Sequence, residues 1–543
     1  MTRCPTARRA SPGWLCAVLL LLCALPARAA PSATEAYATA LEQLASGSFT
    51  VKAQAVETLA ASGEPAALPL LKALLEGDLY TRKADRRLVL ATAADGGYAL
   101  RDATTGDPVG HAGRREVSKI GINNRLRGQI RALLATLQLG HPDPAVRTAA
   151  VRELFGSVDA AAAALLTARR GAEPSGRVRD AIAIALALHD LDAGDPATRR
   201  AAATRLAGAL EPAARNRLAS VAANDGDALV RDAAGRSLRE SERRAGFYAG
   251  LETLFFGVSL GSVLVLAAIG LAITFGVMGV INMAHGELIM LGAYTTYVVQ
   301  LLLPNHLDVS LFVAIPAAFV VSGLFGIAIE RGVIRFLDGR PLETLLATFG
   351  VSLVLQQLVR TLFSPLNRSV ASPSWMSGSV EINSVLSLTL NRAWIILFCL
   401  LVFAALFATL RHTRLGLQMR AVTQNRAMAR AMGVRSARVD ALTFGLGSGI
   451  AGIAGVALSQ LTNVGPNLGQ AYIIDSFMVV VFGGVGNLWG MLVGGLSLGV
   501  ANKLLEPWAG AVLAKILLLV AIILFIQKRP RGLFPQKGRA AEA

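Results

Sequence analysis

Apolar positions fall into three regimes along the chain. Residues 14–25 form a short apolar run behind Arg3, Arg8 and Arg9. Between residues 34 and 244, apolar residues recur at i, i+3 and i+4 among Arg and Asp, the period of amphipathic helices. Beyond residue 249 come long apolar runs: 254–281, 288–303, 311–329, 344–359, 393–410, 441–461, 476–502 and 509–526, the last interrupted only by Lys515. Each run predicts at least one membrane span. The run 476–502 holds GGVGNLWG and suits neither one straight helix nor two full ones, so it predicts a broken or re-entrant pair.

The first run, followed by the small residues Ala27 and Ala29, predicts a secretory signal peptide over residues 1–29. The second regime repeats itself. Asp143, Gly176, Asp195 and Asp227 each open a stretch with an Arg and then an Ala-rich helix, and Arg147, Arg179, Arg199 and Arg231 align at intervals of 32, 20 and 32. That spacing predicts paired helices stacked as a small HEAT-like solenoid. Within residues 88–110, alternating apolar residues around Asp95-Gly96-Gly97 predict a β-hairpin.

Composition narrows this further. The chain has 543 residues, 53% hydrophobic and only 16% charged, which places much of it in lipid. Its 53 Lys and Arg against 36 Asp and Glu leave a net charge of +17. The excess sits in loops: Arg331, Arg335 and Arg340; then Arg411, Arg414, Arg420, Arg426, Arg430, Arg435 and Arg438; then Lys528, Arg529 and Arg531. These three segments are expected to be cytoplasmic, which counts back to an exported first half. With no aromatic-interleaved basic patch, no nucleic acid is expected as a partner; the arginines face membrane lipid and the interface. After signal cleavage Cys399 is the one cysteine left, so no disulfide or metal knuckle is expected.

Three groups of residues stand out chemically. Asn282, His285 and Glu287 interrupt otherwise continuous apolar helix, either as groups on a translocation path or as caps of a helix break. His285-Gly286-Glu287 lacks the cysteine pair of a zinc deaminase, so neither metal nor cofactor is expected. Gly445, Gly449 and Gly452 fall on one helix face, for tight packing or for backbone along a path. The third group is the basic loop, where residues 421–432 predict one amphipathic helix closed by Gly433, with Val422, Ala429 and Met432 on its apolar side.

NMAHGELIMLGAY, PLETLLATFGVSLVLQQ, the basic loop, VVVFGGVGNLWGMLVGG and KRPRGLFP occur in that order across residues 251–535. In these motifs the chain resembles the permease subunits of ABC importers of the branched-chain amino acid type. Residues 495–539 and the long exported half are similar to the urea ABC transporter permease branch. The resemblance implies a second related permease subunit, cytoplasmic ATP-binding subunits and a periplasmic substrate-binding protein as partners. The chain itself is not expected to be an enzyme, since it holds no GK[ST] phosphate loop. The resemblance also implies an ATPase-coupling helix at Gln424, Arg426, Ala427, Ala429, Arg430 and Gly433, although the Glu of the usual EAA pattern is absent.

The expected architecture is all-α. A polytopic helical permease domain with broken or re-entrant helices covers residues 250–535, with a cytoplasmic tail at 536–543. An exported HEAT-like helical-repeat domain with a small β-hairpin covers residues 30–245. The expected cargo is urea or a short-chain amide, because no paired Arg and acid able to hold a zwitterion stands out between the spans. A branched-chain amino acid importer, a membrane receptor with an exported sensor domain and an ATP-independent transporter remain as alternatives. Ion coupling in the last would have only Glu287, Asp475 and Lys515 to draw on.

Overall fold

The computed structural model describes residues 33–534 apart from 65, 95–96, 157 and 338. The expected signal peptide and the expected tail at 536–543 lie outside the described residues. The chain divides into two compact units between Ser241 and Glu242.

The first unit opens with helices α1 (Ala33–Leu44), α2 (Phe49–Ala61) and α3 (Ala67–Glu76). Strands β1 (Leu79–Arg82), β2 (Leu88–Ala94), β3 (Gly97–Asp102), β4 (Pro108–Ala112) and β5 (Val117–Lys119) follow, in an antiparallel sheet ordered β4-β3-β2-β1-β5. The expected hairpin is the β2–β3 pair, in register from Ala94 with Gly97 to Val89 with Asp102. The all-α expectation is thereby corrected to mostly helical. β1 and β5 span only four and three residues, too few to display a period of two in the sequence. Val89, Ala91, Leu100, Ala112 and Val117 bury one face of the sheet.

Helices α4 (Asn124–Gln138), α5 (Pro144–Glu153), α6 (Ala160–Ala172), α7 (Gly176–Asp190), α8 (Pro196–Arg205), α9 (Pro212–Asn224) and α10 (Ala228–Met278) come next. The start of α5 recurs in α8, that of α6 in α9 and that of α7 in α10, at a constant offset of 52 residues. The repeating unit is therefore three helices long, where the sequence predicted pairs. Alternate arginines of the aligned set belong to its first and third helices, which is why their spacing alternates. Asp143 and Asp195 cap the first helix of each copy by accepting from Ala145 N and Ala197 N, with Pro at the first helical position.

The aligned arginines share one task. Each donates Nη1 to the carbonyls six and five residues before it: Arg147 to His141 and Pro142 at 2.7 and 2.8 Å, Arg179 to Glu173 and Pro174 at 2.9 and 3.4 Å. Arg199 does so with Ala193 and Gly194 at 3.0 Å each, and Arg231 with Asp225 and Gly226 at 2.7 and 3.2 Å. These carbonyls precede the helix and have no ladder partner, so the guanidinium satisfies them. Arg147 also grips Glu173 through two bonds of 3.1 and 2.6 Å, and Arg199 grips Asp225 at 2.8 and 3.0 Å, closing each copy on itself.

The second unit holds the apolar part of α10 and helices α11 (His285–Leu302), α12 (Leu307–Gly332), α13 (Pro341–Phe363), α14 (Leu390–His412), α15 (Arg414–Gln424), α16 (Arg426–Ala431), α17 (Ser436–Ser459), α18 (Leu468–Gly483) and α19 (Leu488–Lys528). Among the described residues six helices are long and apolar enough to cross a membrane: α10, α12, α13, α14, α17 and α19. Two expected spans fall outside this set. α11 carries His285, Glu287 and Gln300 within its 18 residues, and α18 has only 16. The run 476–502 is split between α18 and α19, and α19 is itself broken at Gly510, whose φ of 77° no helix contains.

At the centre lies α17, buried along nearly its whole length. A Cβ on Gly292 would collide with the Gly452 backbone, and one on Gly455 with the Ile289 carbonyl, so α11 and α17 touch backbone to backbone.

The Arg147–Glu173 pair yields a prediction. Both side chains are buried, and Arg147→Ala would leave Glu173 only the looser, partly exposed Arg169, 3.4 Å away, so it is expected to cost about 3 kcal/mol and to raise hydrogen exchange across residues 143–190. Arg199→Ala should cost less, since that pair is more exposed. Hydrogen bonding from Arg147 holds Glu173 below its ordinary pKa, and Arg199 does the same for Asp225. A carboxylate depressed in the folded state stabilises it above the unfolded pKa and stops doing so as pH falls. Exchange in this unit should accordingly rise below about pH 4, and Arg147→Ala should flatten that dependence.

Candidate functional site

The interruption between α10 and α11 is built by Gly279, at φ 68°, and by Asn282, whose Oδ1 accepts from Ala284 N at 3.0 Å in the turn just ahead of α11. His285 Nε2 lies 2.9 Å from the Ala267 carbonyl, which can only accept, so that nitrogen carries the proton. Glu287 Oε1 accepts from Ser352 Oγ at 2.9 Å and from Gln356 Nε2 at 2.7 Å. Met283 N donates to Thr348 Oγ1 at 3.2 Å. Asn282, His285 and Glu287 are all buried, and Asn282 Nδ2, His285 Nδ1 and Glu287 Oε2 have no partner among the described residues. One interruption thus concentrates a donor and two acceptors inside an apolar bundle.

Thr348, Ser352 and Gln356 escaped the sequence analysis. Their signal was there: polar residues at intervals of four in an apolar helix line one face, and in α13 that face meets the interruption. The motif around Asn282 and the motif opening α13 are halves of one polar network.

Gly445, Gly449 and Gly452 lie within the packed centre. A Cβ on Gly445 would meet Ile327, one on Gly449 Phe319, and one on Gly452 the Ala318 carbonyl and Ser322. All three therefore face α12.

The second interruption separates α18 from α19. Gly484 and Gly486 take left-handed backbone, at φ 97° and 80°, and Asn487 caps the new helix by accepting from Trp489 N at 3.0 Å. The end of the described chain docks on this break: Leu533 N donates to the Phe482 carbonyl at 2.9 Å and Phe534 N to that of Gly483 at 3.3 Å. A cavity of about 780 Å³ brings together this break, Phe534, the end of α10 at Gly276 and Val277, and Thr423 and Gln424 of the basic loop.

The basic loop differs from its expected single helix. Asn425, at φ −158° and ψ 101°, breaks it into α15 and α16, because its side chain accepts from Met428 N at 2.9 Å and so starts a helix. Val422 and Ala429 are buried as the amphipathic pattern implied, whereas Met432 is 78% exposed and Met428 60%. Gln424, Ala427 and Arg430 are exposed with them. Gly433 takes φ 83°, donating to the Arg430 carbonyl while Val434 N reaches that of Ala429, both at 3.0 Å, in a Schellman closure. Arg426 forks onto Asp440 of α17 at 2.7 and 3.2 Å, and Arg430 Nε donates to Ser436 Oγ at 2.8 Å.

One charge pair was also missed. Lys515 Nζ lies 2.8 Å from Asp475 Oδ2, joining α19 to α18, so the spans do hold an opposite-charge pair. The pairing is not visible along the sequence because Lys515 and Asp475 are 40 residues apart and lie either side of two helix breaks.

Comparison with known proteins bears on these features. Residues 253–526 match the model of the branched-chain amino acid transport system / permease component family. The chain is 34% identical over 296 residues to the high-affinity branched-chain amino acid transport system permease protein LivH of Salmonella typhimurium, covering 52% of this chain and 94% of that protein. It is 31% identical over 296 residues to BraD of Pseudomonas aeruginosa, with 53% and 96% covered. It is 28% identical over 263 residues to the ribose import permease protein RbsC of Escherichia coli, with 47% and 77% covered. No solved structure matches the chain. The spans, their two interruptions and the basic loop all fall within the matched residues, and the chain belongs to the branched-chain amino acid transport system permease family.

Proposed function

We propose that this chain is the translocating subunit of an ATP-driven importer and that α15 and α16 receive the stroke of a partner ATPase. The observation that carries this reading is the fork from Arg426 to Asp440. A helix pair with exposed Met428 and Met432 offers apolar contact on one side, and its ion pair ties it to α17 on the other. A push on α16 therefore reaches the central helix through a rigid link, and the backbone contacts of α17 pass it to α11 and α12. A second related permease subunit and a periplasmic substrate-binding protein complete the machine.

Gly433→Asp places a side chain at a left-handed position and a negative charge at a helix C-terminus, both unfavourable. It is expected to reduce copurifying ATPase about ten-fold, on the order of 1.4 kcal/mol, with membrane abundance unchanged. Gly433→Asn, which tolerates that backbone, should retain most of the association. Equal recovery of ATPase with both variants would remove the coupling role from this loop.

The first unit is read as an exported docking module made of helical repeats, and the basic loop as cytoplasmic, from the loop charges. Single cysteines replacing Ala168 and Met432 test this in intact cells with an impermeant maleimide. Position 168 should label directly and position 432 only after permeabilisation; the reverse pattern would invert the topology.

For the cargo, urea or a short amide is the reading we favour. LivH aligns over 94% of its length with just 52% of this chain, so the exported half has no counterpart in that amino acid permease. The branched-chain amino acid reading is favoured instead by the similarity to the branched-chain amino acid permeases LivH and BraD and by the Asp475–Lys515 pair, whose opposite charges match a zwitterion. Deleting the gene should abolish uptake of micromolar labelled urea and leave leucine uptake intact. Loss of leucine uptake alone would transfer the assignment to the second reading.

A further inference from the structure

A cavity of about 1180 Å³ in the first unit lies against α1, the turn between β1 and β2, and β5. Its floor is apolar, with Leu41, Leu44, Leu88 and Ile120. Its charge is positive: Lys52, Lys83, Arg86 and Arg87 against Glu42, Asp85 and Asp102. Two of the acids are engaged within their own turns. Asp85 is paired with Arg82, which holds its pKa down to about 2, and Asp102 accepts from the Thr104 and Thr105 amides at 2.9 and 3.2 Å.

Lys52 is only 6% exposed, yet no carboxylate pairs with it; its ammonium donates to the Gly121 carbonyl at 2.9 Å. A buried ammonium without a counter-ion is costly, and burial accordingly lowers its pKa. Lys83 and Arg86 likewise form no ion pair among the described residues, whereas Lys119, opposite Tyr80 in the β1–β5 register, lays its ammonium over the Tyr80 ring on the other face of the sheet; only Glu42 remains uncommitted among the lining acids.

The second observation concerns the backbone. The turns at residues 82–87 and 102–107 are built alike: Arg82 N donates to the Arg87 carbonyl and Arg86 N to that of Arg82, as Asp102 N does to Asp107 and Gly106 N to Asp102. The left-handed position is Gly106, φ 78°, in one turn and Arg86, φ 58°, in the other. Glycine occupies that backbone without strain and arginine does not. An arginine kept where its twin turn uses glycine, on the rim of a cationic cavity, points to its charge as the reason.

We propose that this cavity binds a multiply charged organic anion, with carboxylates on Lys52, Lys83 and Arg86 and the carbon skeleton on the apolar floor. Isothermal titration calorimetry of the purified full chain in detergent, with citrate as the probe, tests it. Saturable binding that weakens with salt is expected, with at least a ten-fold loss in Lys52→Met and Arg86→Gly and near-normal affinity in Arg86→Lys. Because Arg86→Gly relieves the left-handed arginine, it should raise the unfolding temperature while losing citrate, a combination that simple damage to the fold does not produce. Absence of citrate binding in the unaltered chain, or unchanged affinity in Arg86→Gly, would overturn the proposal. Equal affinity for inorganic phosphate would reduce the cavity to an unselective ion patch, and binding of polyglutamate but not citrate would make it a protein interface; either outcome also overturns it.

Discussion

Close approach of helix backbones is the constraint from which the membrane half is built. In lipid, apolar side chains gain little by leaving their surroundings, so helices are held by packing and by whatever polar contacts they can make. α17 meets this condition by giving up side chains where its neighbours come closest, at Gly445, Gly449, Gly452 and Gly455. Its partners answer with Gly292, Gly323 and Gly326. The result is a centre of backbone-to-backbone contacts, to which Arg426 anchors the basic loop through Asp440.

Interrupting helices inside such a centre exposes backbone groups that lipid cannot satisfy. Both interruptions solve this locally: Asn282 accepts from the Ala284 amide in the turn before α11, and Asn487 from the first amides of α19. Other elements finish the work: Thr348 takes the Met283 amide, and the chain end donates to the carbonyls of Phe482 and Gly483. The breaks are accordingly defined structures whose two sides are fixed by residues elsewhere in the chain. At the first break, polar atoms of Asn282, His285 and Glu287 stay buried without partners among the described residues.

Much of this was legible in the sequence because its causes are local. The long apolar runs, the glycine face, the left-handed Gly433 and the break near GGVGNLWG each depend on residues within a few positions of one another. What was hidden depends on pairing at a distance. The sheet exceeded its expected hairpin because β1 and β5 acquire strand character only by pairing with each other and with β2. The helix over residues 421–432 was divided by an asparagine whose capping choice competes closely with helix continuation. The polar face of α13 and the Asp475–Lys515 pair become visible only once helices are side by side. The aligned arginines occupy a middle ground: their period was plain, and their task needed coordinates.

That task bears on how the chain acquires its structure. Each of Arg147, Arg179, Arg199 and Arg231 closes a loop of five or six residues, and the longest bond made by the set reaches 26 residues along the chain. Contacts this short cost little loop entropy and form quickly, so a repeat can be complete soon after its last helix is made. The meeting of Gly292 with Gly452 waits for most of the membrane half to be synthesised. Folding therefore runs from local to distant along the same direction as synthesis, and the repeats can stand finished while the glycine-lined centre is still waiting for its last helices.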